Sequence, residues 1–361
     1  MPRLFGRELS RLEILERVGD IRQVAGARSV ELADGPERGV RAVDVRTGGG
    51  LGFLVAVDRG MDIADARWGG MPLAWISPTG VTHPAYYEPS GLGWLRGFHG
   101  GLLVTCGLAY AGSPSTDEGV ELGLHGRASN TPARGVCVRE EWAGEKGSEE
   151  YVISVSGRVR EASVFGPDLE LARTVETSLG ARSFVVRDRA TNLGHEPSPF
   201  MILYHMNFGW PLLDDGAEIL APPCEAHPRN EDAASGRDLA RRCQAPTAGY
   251  REKVYYHDVP ASEDGFARVA LVNRALAPPA GVAIAWRKAE LPNLVQWKMM
   301  GRGHYVMGIE PSNCELAGRA AERRRGAVRF LEPGESCELE LRVSVLGSAA
   351  EIDRFAASVT G

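Results

Sequence analysis

The chain has 361 residues, 38.9 kDa, a formal net charge of -6 and 43% hydrophobic residues. A chain of this length can bury roughly 75% of the surface its unfolded form exposes, and its branched and aromatic apolar residues are spread throughout, which excludes a disordered chain. Arginines alternate with Asp and Glu along most segments, so the basic stripe that nucleic acid requires is missing and no nucleic-acid partner is expected.

The first residues, Met1-Pro2-Arg3-Leu4-Phe5-Gly6-Arg7-Glu8, lack the apolar core of a signal peptide, and no stretch approaches the roughly 20 apolar residues of a membrane span. No membrane partner and a cytoplasmic location are therefore expected. Six scattered cysteines (Cys106, Cys137, Cys224, Cys243, Cys314, Cys337) form no C-x-x-C pair, so most are expected to be reduced core residues. The basic run Arg323-Arg324-Arg325 reads as a solvated turn.

In chain order, Ser10-x-x-Glu13 has the spacing of a capping box and predicts a short helix over about 10–17. The apolar period then falls to two in Val30-Glu31-Leu32, Val40 to Val45 and Phe53 to Val57, separated by Asp34-Gly35 and Gly48-Gly49-Gly50. The same pattern predicts strands near 133–142, 150–158, 168–178, 183–190 and 199–206, then 252–258, 266–273, 281–287, 293–299, 304–310, 326–331 and 337–346. Helices are expected only within 231–243 and over about 351–357. Many strands without alternating helices give an all-β chain, a large sandwich of mostly antiparallel strands with few short helices. With no linker-like shift in composition, 1–361 is expected to be one domain. The strand-poor intervals 78–99 and 221–250 are long enough to be lids or binding walls.

Some signals carry no chemistry. Thr47-Gly48-Gly49-Gly50-Leu51-Gly52 leads into a strand and lacks the Lys-Ser/Thr of a phosphate loop, so it reads as a hairpin turn. Neither a G-x-S-x-G elbow nor an H-E-x-x-H pair occurs.

Reactive side chains do gather in three glycine- and aromatic-rich stretches: Leu124-His125-Gly126-Arg127, Tyr204 to Trp210, and Gly308-Ile309-Glu310-Pro311. His205 ends an apolar strand before a Gly-Trp-Pro corner, which suits a histidine at a cavity and also a core histidine bonded to a carbonyl. Glu310 ends the apolar run from Tyr305 to Ile309, where a carboxylate is seldom buried without a partner. An edge-strand Glu paired with an arginine fits the same position.

Together with Asp58-Arg59-Gly60-Met61-Asp62-Ile63, these stretches resemble the aldose 1-epimerase (galactose mutarotase-like) superfamily, and in particular its uncharacterised aldose-1-epimerase-like branch, in the right order over roughly 20–347. The resemblance implies a galactose mutarotase-like β-supersandwich with a sugar cleft, no cofactor and no metal. By motif position it implies His205 as general acid and Glu310 as general base, with Arg59 and His125 holding hydroxyls or the ring oxygen. Anomer exchange needs the C1 hydroxyl deprotonated while the ring oxygen is protonated, so paired groups of opposite protonation state suit it.

Around that pair, Arg127 can donate to vicinal hydroxyls, Trp94, Trp210 or Trp297 can cover a pyranose face, and Asn207 and Asn313 can flank the acid and base. Asp62 can brace Arg59, and Lys298 can face either the pocket or solvent. The resemblance also implies a further acidic contact to substrate, for which Asp214, Asp215 and Asp258 are in range. The His-Gly-Arg sequence where His-Gly-Gly is commoner leaves the sugar open. The expected activity is thus an isomerase interconverting anomers of a small carbohydrate. The same cleft would serve a catalytically silent carbohydrate-binding or sensor protein, or a sugar lyase or isomerase.

Overall fold

The structure, a computed structural model, describes residues 1–145 and 147–360. It is the antiparallel β assembly that the period-two pattern predicts. An eight-stranded sheet runs in the order Arg134–Ala143, Glu150–Ala162, Asp168–Ser178, Ser183–Asn192, Ser336–Leu346, Ala280–Arg287, Phe266–Asn273, Glu218–Leu220. In Asp168–Ser178 every second residue is buried, so Leu169, Leu171 and Val175 face the core together with Arg173.

A second sheet has the order Val104–Leu108, Ser198–Phe208, His304–Ser312, Asn293–Gly301, Lys253–His257, Ala226–Pro228, with Arg329–Leu331 added beside the start of Ser198–Phe208. Ser198–Phe208 is buried on both faces, the mark of a strand covered from two sides. Tyr204 points to the eight-stranded sheet, where its hydroxyl donates to Asp188 at 2.6 Å. His205 points the other way. A five-stranded sheet, Gly26–Glu31 through Met71–Pro72, completes the framework.

The glycine-rich turn behaves as expected: Gly48 to Gly50 joins Arg41–Arg46 to Leu51–Ala56. Gly69 and Gly70, both in the left-handed region at φ 57 and 86, close the hairpin of Asp62–Trp68 and Met71–Pro72. The first helix is shorter than predicted, Arg11–Leu15, with Ser10 and Glu13 making the reciprocal capping bonds. The last is longer, Ala349–Thr360, because Ile352 packs into a small cluster with Ala270 and Val272. Within 231–243 the chain forms only Glu231–Ala234 and a 3-10 turn, Arg237–Leu239.

Strands Asp62–Trp68 and Val104–Leu108 were not predicted. The second is buried at all five positions, so it shows no alternation to read. The basic run spans the end of a short helix, Arg319–Arg324, and the turn after it; Arg324 and Arg325 are exposed as expected, while Arg323 binds Asp117 and Arg325 binds Glu315. All six cysteines are free, four of them buried. Among the described residues no helix is long and apolar enough to cross a membrane.

Candidate active site

The register that sets Leu203 against Ser312 and Met206 against Ile309 puts His205 directly opposite Glu310 on adjacent strands. His205 Nε2 lies 3.3 Å from Glu310 Oε1, and both side chains are buried. The same face carries Val254 and Tyr256, Val295 and Trp297, Gly308 and Asn207, because side chains alternate and the strands are in register. Gly308 leaves room for the carboxyl there, since a Cβ on it would stand 2.3 Å from Glu310 Oε1.

Above this face lies a cavity of about 710 Å³, lined by His205, Glu310, His125, Trp75, Trp94, Phe98 and Trp297 among others. Its walls are a ring of aromatics. The Phe98 and Trp297 rings lie 5.1 and 5.4 Å from the His205 ring, and Trp94 lies 4.8 Å from the His125 ring. The interval 78–99 forms one wall of the cavity, contributing Leu92, Trp94, Leu95 and Phe98.

Two polar residues that sequence reasoning missed complete the wall. Glu252 Oε2 accepts from Trp297 Nε1 at 3.0 Å, and its Oε1 accepts from Arg229 Nη2 at 2.9 Å. Arg229 belongs to the second long interval, 221–250, and reaches the site because Ala226–Pro228 pairs with Lys253–His257. Glu252 continues the alternation of Val254 and Tyr256, a signal legible in the sequence once that strand is known to border the cleft. Among the acidic residues between His205 and Glu310 in sequence, Glu252 lines the cavity, and Asp214, Asp215 and Asp258 do not: Asp214 accepts from Trp210 and from the Asp215 amide, and Asp258 pairs with Lys288.

Burial dominates the electrostatics. It drives the His205 imidazole well below its usual pKa, aided by His125 and opposed by Asn207. It drives the Glu310 carboxyl well above the usual range, opposed by Arg229. His125 falls to about 4 for the same reason, with Arg229 adding to the shift. Both Glu310 oxygens and Nδ1 of His205 and His125 have no hydrogen-bond partner among the described residues. Such orphaned groups are uncommon inside proteins, and here four of them gather at one cavity.

Several of the sequence-predicted residues do not line this cavity. Arg59 is buried with its guanidinium spent on carbonyls of Ser129, Thr82 and Gly97 at 2.7–2.8 Å. It positions the segment bearing Trp94 and Phe98. Asn207 is buried, donating to the carbonyls of His205 and Gly100. Trp210 is 65% exposed and donates to Asp214. Arg127 lines a separate hollow. Asp62 binds Thr105 and Arg173 instead of bracing Arg59, Asn313 bridges to the Ile202 amide and Phe200 carbonyl, and Lys298 is buried on the opposite face, donating to Leu239 and Arg242 carbonyls. The sequence-predicted residues brought together are His205, Glu310, His125, Trp94 and Trp297. No group of three or more His, Cys, Asp or Glu suited to a metal ion occurs among the described residues.

The family model described as Domain of unknown function (DUF4432) matches residues 37–345. Among solved structures, the chain is similar to a "putative aldose 1-epimerase" from Klebsiella pneumoniae, 30% identical with a TM-score of 0.87, covering 98% of this chain and 91% of that one. It shares its fold with a galactose mutarotase-like protein from Clostridium acetobutylicum at 12% identity and TM-score 0.58, over 90% of this chain and 99% of that one. A galactose 1-epimerase from Lactobacillus acidophilus shares it too, at 11% and 0.56 over the same fractions. No curated protein matches the sequence. The fold, the order of its motifs and these matches agree: the chain belongs to the DUF4432 family, within the aldose 1-epimerase and galactose mutarotase-like proteins.

Proposed function

We propose that the protein is an aldose 1-epimerase-like isomerase that interconverts the α and β anomers of a small carbohydrate through His205 and Glu310. The observation that carries this reading is the cross-strand pair itself: an imidazole and a carboxyl 3.3 Å apart, facing an aromatic-walled cavity, with neither carboxyl oxygen accepting a hydrogen bond among the described residues. The pair stands side by side on one wall rather than on opposite sides of the hollow. That suits the chemistry, because the C1 hydroxyl oxygen and the ring oxygen are bonded to the same carbon.

In the productive state Glu310 takes the proton of the C1 hydroxyl while His205 protonates the ring oxygen. The C1–O5 bond breaks with its electron pair going to O5, and the C1–O1 bond becomes a carbonyl. Rotation about C1–C2 exposes the other face, and reversal of both proton transfers closes the other anomer. Each positioned group contributes about 10²–10⁴-fold. The pair holds one proton between its two apparent pKa values, and the neutral and charge-separated forms differ only in which partner carries it. Burial favours the neutral form in the empty cleft, and sugar hydroxyls on Glu310 would favour its ionised form.

Trp297 and the other aromatics supply flat apolar surface for a pyranose face, His125 has a ring nitrogen free for a hydroxyl, and the Arg229–Glu252 pair fixes the Trp297 edge. Magnetisation-exchange NMR on a panel of aldoses tests the proposal. Wild-type protein should speed anomer exchange of at least one sugar, and His205→Asn or Glu310→Gln should each cut the acceleration about 10²–10⁴-fold. A wild type that binds sugar without accelerating exchange would leave a binding protein in its place. Chain 1–361 is proposed to fold as one unit, since one apolar cluster runs from Leu4 to Val345. Six free cysteines suit the reducing cytoplasm, which cell fractionation would check.

A further inference from the structure

With the C1 hydroxyl (O1) at Glu310 and the ring oxygen (O5) at His205, the rest of a pyranose ring has a direction. O1, C1, O5 and C5 follow one another, so C5 and its exocyclic C6 run on past His205, away from Glu310. Strand order sets what lies there. Ser198–Phe208 stands between His304–Ser312, which bears Glu310, and Val104–Leu108. The His125 loop lies along Val104–Leu108, the Gly107 amide donating to the His125 carbonyl at 3.0 Å. The Phe98 and His125 rings stand 5.1 and 5.9 Å from the His205 ring, and Trp94 stacks on Phe98 at 4.6 Å.

The two sides of the pair differ in what they offer. Beyond Glu310 the cavity is polar. Val295 pairs with both Glu310 and Tyr256, which brings the Tyr256 strand up with Arg229 and Glu252, and the Ser113 amide is tied to Leu316, whose own amide donates to the Tyr256 hydroxyl. Beyond His205 the lining is Leu92, Trp94, Leu95, Phe98 and Leu124. Polar groups on that wall are already engaged: Trp94 Nε1 donates to Ser129 Oγ at 3.3 Å, and the Ser77 and Thr79 hydroxyls donate to the Phe98 carbonyl at 2.5 and 3.0 Å. His125 adds one imidazole, which suffices for one ring hydroxyl. Leu92 and Leu95 are 60% and 47% exposed while lining the cavity, so apolar surface continues to its mouth.

We infer that the wall of Leu92, Trp94, Leu95, Phe98 and Leu124 receives an apolar substituent on C5, so that the cleft prefers 6-deoxyhexoses to hexoses bearing a C6 hydroxyl. This rests on the anomer-exchange reading proposed above, which places O1 and O5. A C6 methyl buries apolar surface there, whereas a C6 hydroxyl competes with the ring hydroxyls for His125 or goes without a partner. A C6 carboxylate would set a charge against the same apolar wall, which is costlier still.

Ligand-observed NMR titration of matched pairs that differ only at C6 tests the inference: D-fucose against D-galactose, D-quinovose against D-glucose, and L-rhamnose against L-mannose. In at least one pair the deoxy sugar should bind about fivefold or more tighter, and the uronic acid of that series should bind weakest. Leu92→Asn and Leu124→Asn, each of which puts an amide on the wall, should lower that ratio. Leu92 is exposed, so its variant decides the matter even if Leu124→Asn fails to fold. Hexoses that bind as tightly as their deoxy partners in every pair, or a ratio untouched by Leu92→Asn, would overturn the inference. Binding needs no turnover, so the two readings fail separately. A deoxy preference without anomer exchange would retire the acid–base reading and keep the substrate class, and anomer exchange with no preference at C6 would do the reverse.

Discussion

Tyr204 and His205 are neighbours on one strand, and they serve two buried polar clusters that differ in one respect. On the Tyr204 face, every guanidinium nitrogen of Arg173 is engaged: Nε and Nη2 donate to Asp188 at 2.8 and 2.6 Å, and Nη1 donates to Thr105 at 2.8 Å and approaches Asp62 at 3.3 Å. On the His205 face, the Glu310 carboxyl accepts no hydrogen bond among the described residues. Both clusters are desolvated, yet in the first only Asp62 Oδ2 lacks a partner, whereas in the second both Glu310 oxygens and His205 Nδ1 lack one beside a cavity. Near-closure makes the first part of the scaffold; openness makes the second the candidate site.

Breaking each cluster should therefore fail in different ways. Glu310→Gln or His205→Asn should cost about 10²–10⁴-fold in anomer exchange while leaving the urea midpoint close to wild type, since neither variant removes a satisfied bond. Arg173→Met should instead strand Asp188 and Asp62 and lose roughly 3–5 kcal/mol of stability, read from the same urea curves. Two variants with the same profile would erase the distinction.

Buried histidines sharpen it as a function of pH. His125 in the cleft and His257, which shares a 2.8 Å bond with Gln296, both have pKa values depressed to about 4 by burial. The unfolded chain takes up these protons near 6.5, so the stability each contributes is whole above that pH and is lost as pH falls through about 4. The loss is on the order of 3 kcal/mol for each group. Urea midpoints should fall over that window, and His125→Asn should flatten the fall.

The smallest expected effect comes from Gly308→Ala. The new Cβ would displace a movable carboxyl rather than backbone, so stability should hold while exchange drops about a hundredfold through misplacement of Glu310. Retained activity would mean that the carboxyl position is not critical.

Much of this was legible in the sequence where alternation is strong. Strands Asp168–Ser178 and Phe266–Asn273 fall where the period-two pattern puts them, and His205 and Glu310 stood out as polar groups closing apolar runs. What sequence could not show is direction. Arg59 and Asp62 belong to the motif that carries the resemblance, yet Arg59 is spent on carbonyls and Asp62 on Arg173 and Thr105. Asn207 and Trp210 sit beside His205 in sequence without lining its cavity. Conversely, Arg229 and Glu252 look like ordinary surface charges until strand pairing carries them to Trp297.

The central claim is that His205 and Glu310 act as one proton-sharing unit. The pH dependence of kcat/KM for anomer exchange, followed by NMR on whichever aldose exchanges fastest, addresses it directly. Two apparent pKa values bounding a plateau, with one limb lost in His205→Asn and the other in Glu310→Gln, is the result expected. A profile that rises or falls monotonically in wild type, or a bell that persists in both variants, would contradict it.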